Sequence, residues 1–329
     1  MKRIIYSLLI VQFIFGCTFF NEEIKIDIQN YKNLTPENIY TNLKIANIIL
    51  DQNEFEKMYD NFDKEIEIAG LLNLYKNEES LIKNQAVEIQ IKGGISRKSP
   101  LKSLGIKFNN TYDNTTGNLI NTISLDFHSL DKISAFRFRN SGNDFYYTML
   151  KDISYTQLAI QANLNLDLMY IEQTIVFVNN IFLGVMNLRT ESNANGMSGL
   201  YNVNKTDITL AKISGNGELD KKNGDFNRID NFINAIKNDN YNYLKQEIDV
   251  DNFIDYMIFE SYIGNVDWPF NNIRFFAIGN QPFRFVLFDL DKVSGQHIKD
   301  FPILFINNSI HNPITDLFNI MYKNEEFKK

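Results

Sequence analysis

The chain has 329 residues, 44% hydrophobic and 13% aromatic, which is enough apolar material to core one large domain or two smaller ones. Its net charge of −7 and pI near 5.2 exclude a general nucleic-acid binder, which depends on a basic stripe. A single cysteine, Cys17, excludes an intramolecular disulfide, so packing alone has to hold the fold.

The N-terminus reads as an export signal. Lys2 and Arg3 form a positive n-region, and Ile4 to Phe15 is an apolar h-region too short to span a bilayer as a mature helix. It ends in Ile14-Phe15-Gly16-Cys17, a small residue directly before a lone cysteine, which resembles the bacterial lipobox. Residues 1–16 are therefore expected to be a lipoprotein signal peptide and Cys17 the lipidated first residue. The competing reading is an ordinary signal peptide or an uncleaved anchor. Residues 17–36 are polar and charged, as a tether would be. Lipidation would place the protein in a bacterial cell envelope, bound to a membrane outside the cytoplasm.

Strands are expected over Leu43 to Leu50 and Glu65 to Leu72, around a short helix that Asp51 caps. Val87 to Lys92, Leu104 to Phe108, Ile123 to Phe127 and Ala135 to Arg139 alternate as half-buried strands do. Apolar residues at helical spacing predict a helix over Tyr147 to Ala162. Thr174 to Val178 and Ile181 to Leu188 flank Asn179-Asn180, a hairpin signal, because asparagine tolerates the positive φ of a two-residue turn. From Asp225 the pattern turns helical, and Asp251 is expected to cap a second helix containing Ile254, Met257 and Tyr262. Ile273 to Ile278 and Phe283 to Phe288 form a last hairpin across Gly279-Asn280. The expected architecture is α+β: a β-rich lobe over residues 37–190 and a helical lobe over 191–329.

Three polar groups stand out. Asn265-Val-Asp267-Trp-Pro-Phe-Asn-Asn272 precedes the last hairpin, and Phe288-Asp289-Leu-Asp291 follows it. An aspartate, an asparagine five residues on, a hairpin and an aspartate at a strand end follow the order of parts in a protein-kinase active site. On that order Asp267 is the acceptor-side base, and Asn272 and Asp289 are ligands of Mg²⁺, with Asp291 as a further ligand and Asn271 competing with Asn272. The competing readings are that Asp267 caps the preceding helix and that Asp289 and Asp291 cap the following turn. Third, Lys92-Gly-Gly-Ile-Ser-Arg97-Lys98-Ser-Pro-Leu-Lys102 joins two strands, where backbone N–H groups and basic side chains can cover phosphates. Lys102 is the candidate phosphate lysine, Arg97 a bidentate clamp and Glu191 the carboxylate that would hold the lysine. A solvated loop is the alternative for these charges. The three histidines, His128, His297 and His311, show no zinc spacing, there is no Gly-x-Ser-x-Gly, and nothing points to a glycosidase pair.

These elements, with Phe138-Arg-Asn-Ser-Gly-Asn-Asp144, Thr148-Met-Leu-Lys-Asp152 and Val178 to Arg189, resemble the spore-coat CotH-like atypical protein kinases over about residues 40 to 327. The resemblance implies a bilobal kinase-like fold, with nucleotide in the crevice, that uses ATP and Mg²⁺ or Mn²⁺ to phosphorylate Ser or Thr of an envelope or secreted protein. It carries the catalytic aspartate's role to Asp267, the metal ligand's to Asp289 and the phosphate lysine's to Lys102. The sequence departs from the family's usual pattern at Gly93, where arginine is usual, and at Asn202, where lysine is frequent. Its last residues, Asn324 to Lys329, resemble the opening of a helix that relatives continue, which implies a shortened helical lobe. A non-catalytic envelope lipoprotein that keeps the fold to bind nucleotide or a partner is the alternative.

Overall fold

The computed structural model describes residues 35–36, 39, 41–77, 79–108, 123–125, 128–130, 133, 135–293 and 312–328. The signal peptide, Cys17 and the tether up to residue 34 lie outside them, as do His297 and His311. No helix among the described residues is long and apolar enough to cross a membrane.

In chain order the elements are β1 (Lys44–Leu50), α1 (Gln52–Asp60), β2 (Glu67–Lys76), β3 (Glu79–Lys92), β4 (Ser103–Phe108), β5 (Ile123–Leu125), β6 (His128–Leu130) and β7 (Ala135–Arg139). Next come α2 (Lys151–Gln161), β8 (Asp167–Leu168), β9 (Ile171–Val178), β10 (Ile181–Thr190), α3 (Ala194–Tyr201), β11 (Ile208–Ser214) and β12 (Glu218–Asn223). The last are α4 (Phe226–Lys237), α5 (Tyr241–Glu247), α6 (Val250–Ile263), β13 (Ile273–Ile278), β14 (Arg284–Leu287) and α7 (Pro313–Tyr322). The chain is α+β and divides into two units.

The first unit covers residues up to Leu150 together with Ile171–Thr190. Its strands close a barrel in the order β1-β2-β3-β4-β7-β10-β9, completed by parallel pairing of β1 with β9. Period-two alternation sends one set of side chains inward, and Ile48, Leu72, Ile89, Leu104, Phe136 and Leu188 are all fully or almost fully buried. The β9–β10 hairpin turns on Asn179 and Asn180 at φ 50° and 64°, the two positive values that a type I′ turn demands.

The second unit covers Lys151–Tyr170 and Glu191 onward. The expected helical half is instead built on a five-stranded sheet, β12-β11-β13-β14-β8, with helices packed against it. Phe275, Phe283 and Phe285 from the sheet meet Phe232 of α4 and Tyr256 of α6, with ring centroids 5.0–5.5 Å apart for Phe232–Phe283 and Tyr256–Phe285. Tilted and stacked ring pairs of this kind add to the area they bury.

Two helix starts differ from expectation. The helix after the barrel begins at Lys151 rather than Tyr147 because the Asp144 carboxylate accepts from Thr148 N (3.2 Å) and Leu150 N (2.9 Å), tying those residues into a turn. Met149 within it has φ +58°. The cap of α6 is Asp249, whose carboxylate accepts from Asn252 N at 3.0 Å, and Asp251 falls in the first turn.

Candidate functional site

Helix α6 stops at Gly264, whose φ of +62° lets its N–H reach the carbonyls of Glu260 and Ser261. Asn265, fully buried, then fixes the loop: its Nδ2 donates to Glu260 Oε2 (2.9 Å) and its Oδ1 accepts from Asp267 N (3.3 Å). The Asp267 carbonyl accepts from Asn271 N (2.7 Å) and Phe270 N (3.1 Å). The main chain of Asp267 is thus held from both sides, and its carboxylate lies beyond the helix end rather than capping it. Lys292 Nζ donates to Oδ1 at 2.7 Å, and among the described residues no hydrogen bond reaches Oδ2.

The other half of the site follows from strand order. Because β13 and β14 run antiparallel, Asn272 before β13 and Asp289 after β14 come to the same end of the sheet. Both are left-handed, at φ 59° and 67°, and Asn272 is buried. Asp289 is half-buried, and its side chain makes no capping bond to the short 3-10 turn Leu290–Lys292 that follows. Asp291 is buried in that turn, whose first N–H, at Leu290, donates to Asp152 Oδ1 of α2 (3.1 Å). The two loops are stitched together where Asn265 bridges to Val293 and Val266 N reaches Lys292 O at 3.5 Å.

Charges of both signs gather here. Lys212 of β11 pairs across the sheet with Arg274 of β13. Burial and the Arg274 guanidinium pull the Lys212 ammonium below its ordinary pKa, while Asp289 acts in the opposite sense. Burial pushes the Glu260 carboxyl up to about 8, with the nearby Asp289 charge adding to the rise and the Asn265 hydrogen bond opposing it. Arg274 Nη1 also donates to Ser192 O at 2.6 Å, which brings the segment that begins at Glu191 to this sheet. A Cβ at Gly196 would lie 1.9 Å from the Glu191 carbonyl, so that segment packs against bare backbone of α3.

The sequence-predicted ligands Asp289, Asp291 and Asn272 offer oxygen donors only, two carboxylates and one amide. That set suits a hard divalent cation whose remaining ligands come from phosphate and water. Among the described residues no group of three or more His, Cys, Asp and Glu side chains converges as a self-sufficient metal cage.

Lys102 and Arg97 belong to the first unit. Their loop turns at Gly93, φ +119°, where a Cβ would meet Ser96 Oγ at 2.5 Å. Lys102 is buried rather than solvated: Nζ donates to the carbonyls of Arg97 (2.9 Å) and Ser99 (3.0 Å) and lies 4.3 Å from the Phe62 ring centroid. Burial lowers its pKa, with Asp60 opposing. Asn140 Nδ2 pins the same loop through Ser96 O (3.2 Å) and Leu101 O (2.6 Å), while Arg97 Nε is buried with no partner among the described residues.

Within the second unit the structure pairs Asp267 with Lys292, the residue that follows Asp291, and ties the loop of the one to the turn of the other. Sequence reasoning did not single out Lys292, Glu260, Lys212 or Arg274 as part of the site. Lys292 adjoins the Asp289-Leu-Asp291 motif and was within reach of that pattern; Lys212 was not, because its placement depends on pairing with β13.

A search of curated proteins finds no match. The family model described as CotH kinase protein matches residues 89–329, a span that takes in the loop of Lys102, the Asp267 loop and the Asp289 turn. The chain belongs to the CotH kinase protein family.

Proposed function

We propose that the chain is an ATP- and divalent-metal-dependent phosphotransferase acting on Ser or Thr hydroxyls of a protein. The observation that carries this reading is the stitching of the Asp267 loop to the Asp289–Lys292 turn, which joins a carboxylate whose Oδ2 accepts no hydrogen bond among the described residues to the segment that carries Asp289 and Asp291. Asp267 accepts the acceptor's proton on Oδ2 and orients the hydroxyl for in-line attack. Asp289, Asn272 and Asp291 would hold Mg²⁺ or Mn²⁺, whose contribution when bound is to neutralise charge on the phosphates. In this reading each of the two units corresponds to one lobe of a kinase-like fold. A lipidated Cys17 would tether the protein to a membrane of the cell envelope, where its acceptor is an envelope or secreted protein.

A second reading, a fold kept for binding without transfer, draws on one observation. The Lys102 ammonium is already engaged by two carbonyls of its own loop.

The melting temperature of the purified full-length protein, measured with and without ATP and Mn²⁺ or Mg²⁺, tests the reading. Ligand at about 100 times its Kd stabilises by about 2.7 kcal/mol. Asp289→Ala should lose the shift; Asp267→Asn should keep it and lose transfer of labelled phosphate to a Ser/Thr-rich acceptor. A folded protein with no shift would remove the nucleotide-dependent function. A shift without transfer in the unmodified chain would favour the second reading.

A further inference from the structure

Lys292 ties the two halves of the site. Its carbonyl accepts from Val266 N (3.5 Å), its neighbour Val293 bridges to Asn265, and its ammonium lies 2.7 Å from Oδ1 of Asp267. The pair is open to solvent, with side-chain exposures of 37% for Lys292 and 20% for Asp267. Ion pairs this exposed add little to stability, so the fold itself has small need of it. An ammonium has three N–H donors, and the Asp267 oxygen uses one of them.

We propose that Lys292 is a further catalytic residue, holding Oδ1 of Asp267 with one N–H and donating another to a γ-phosphate oxygen. The proposal rests on the phosphotransferase reading. In the step, the acceptor's hydroxyl oxygen bonds to the γ-phosphorus while the bond from that phosphorus to the β,γ-bridging oxygen breaks. The electron pair of the broken bond leaves with ADP, and the acceptor's proton passes to Oδ2 of Asp267. Negative charge spreads over the equatorial oxygens of the group in flight, and a fixed cation beside them stabilises that state more than the starting one. Lys292 suits this task because the carboxylate that receives the proton also fixes the position of its ammonium.

The test compares unmodified full-length protein with Lys292→Met and Lys292→Arg. Melting temperature is read alone, with ADP and Mn²⁺, and with the β,γ-imido analogue of ATP and Mn²⁺. Single-turnover transfer to a Ser/Thr-rich acceptor is read in parallel. Lys292→Met should melt and respond to ADP as the unmodified protein does, lose the additional shift given by the imido analogue, and transfer about 100-fold more slowly. Lys292→Arg should recover both to within about tenfold, since a guanidinium can also serve two oxygens. Lys292→Met retaining both the additional shift and the transfer rate would overturn the proposal. An unmodified protein that responds to neither nucleotide would overturn the phosphotransferase reading itself, and the role of Lys292 with it.

Discussion

Glu260 lies in the last turn of α6 with no exposed surface, and its Oε1 has no hydrogen-bond partner among the described residues. Its folded pKa near 8 stands above the ordinary glutamate value of about 4.3. Below the ordinary value both folded and unfolded chains hold the proton, and this group's contribution to stability is fully present. Between the two values only the folded chain holds it, so stability falls as pH rises, by up to about 1.4 kcal/mol per pH unit. Above about 8 the slope vanishes. Glu260→Gln cannot ionise, so its denaturant midpoint should gain on the unmodified protein steadily from pH 5 to 8 and no further; parallel curves would show that Glu260 does not titrate in this way. None of this was legible beforehand, since an acid near a helix end reads as solvated until the loop beyond it folds back. Lys102 carries the same lesson. The sequence marks it as a basic residue beside a glycine turn, but only the folded loop shows its ammonium spent on two carbonyls.

At the scale of elements, a buried polar network fastens β8 to β14 and α6. Asp167 accepts from Arg284 Nε (2.6 Å), Asn252 Nδ2 (3.3 Å) and the Tyr201 hydroxyl, and Arg284 also bonds Asp249 and Asn165 Oδ1 (2.8 Å). Burial raises the pKa of Asp167, while Arg284 acts to hold it ionised. Arg284→Met would strand a buried carboxylate and should cost about 3 kcal/mol, the low end for a broken buried pair because the arginine is partly exposed. Pairing it with Asp167→Asn should recover part of that loss in urea unfolding; additive losses would show the two to be independent. The β9–β10 hairpin was legible because Asn179-Asn180 sits between two apolar alternating runs. Strand β12, Glu218 to Asn223, was not: every second residue is exposed and the inward ones include lysine, so no apolar period marks it. Asp249 and Asp251 both suit a cap, and only the main-chain geometry at Asn252 chooses between them.

For the molecule as a whole, the α+β class could be read from alternating strands followed by helical spacing, but the second sheet could not. Its strands β11 and β13 are separated by three helices, and their register depends on packing against α4 and α6. Closure of the barrel was equally hidden, since β1 pairs in parallel with β9 across a long interval of chain, Lys44 against Thr174. Trp268 gives this architecture an optical handle. It is the one tryptophan of the chain, fully buried, edge-on to Tyr256 at 6.0 Å, and directly follows Asp267. Intrinsic fluorescence excited at the indole band therefore reports on the second unit alone. Emission should be blue and poorly quenched by acrylamide in the native protein, and ADP with Mn²⁺ should change its intensity. A signal that stays constant at saturating nucleotide would mean that the Asp267 loop does not register the ligand. Where the loop does register it, the protein reports its own occupancy without an added dye.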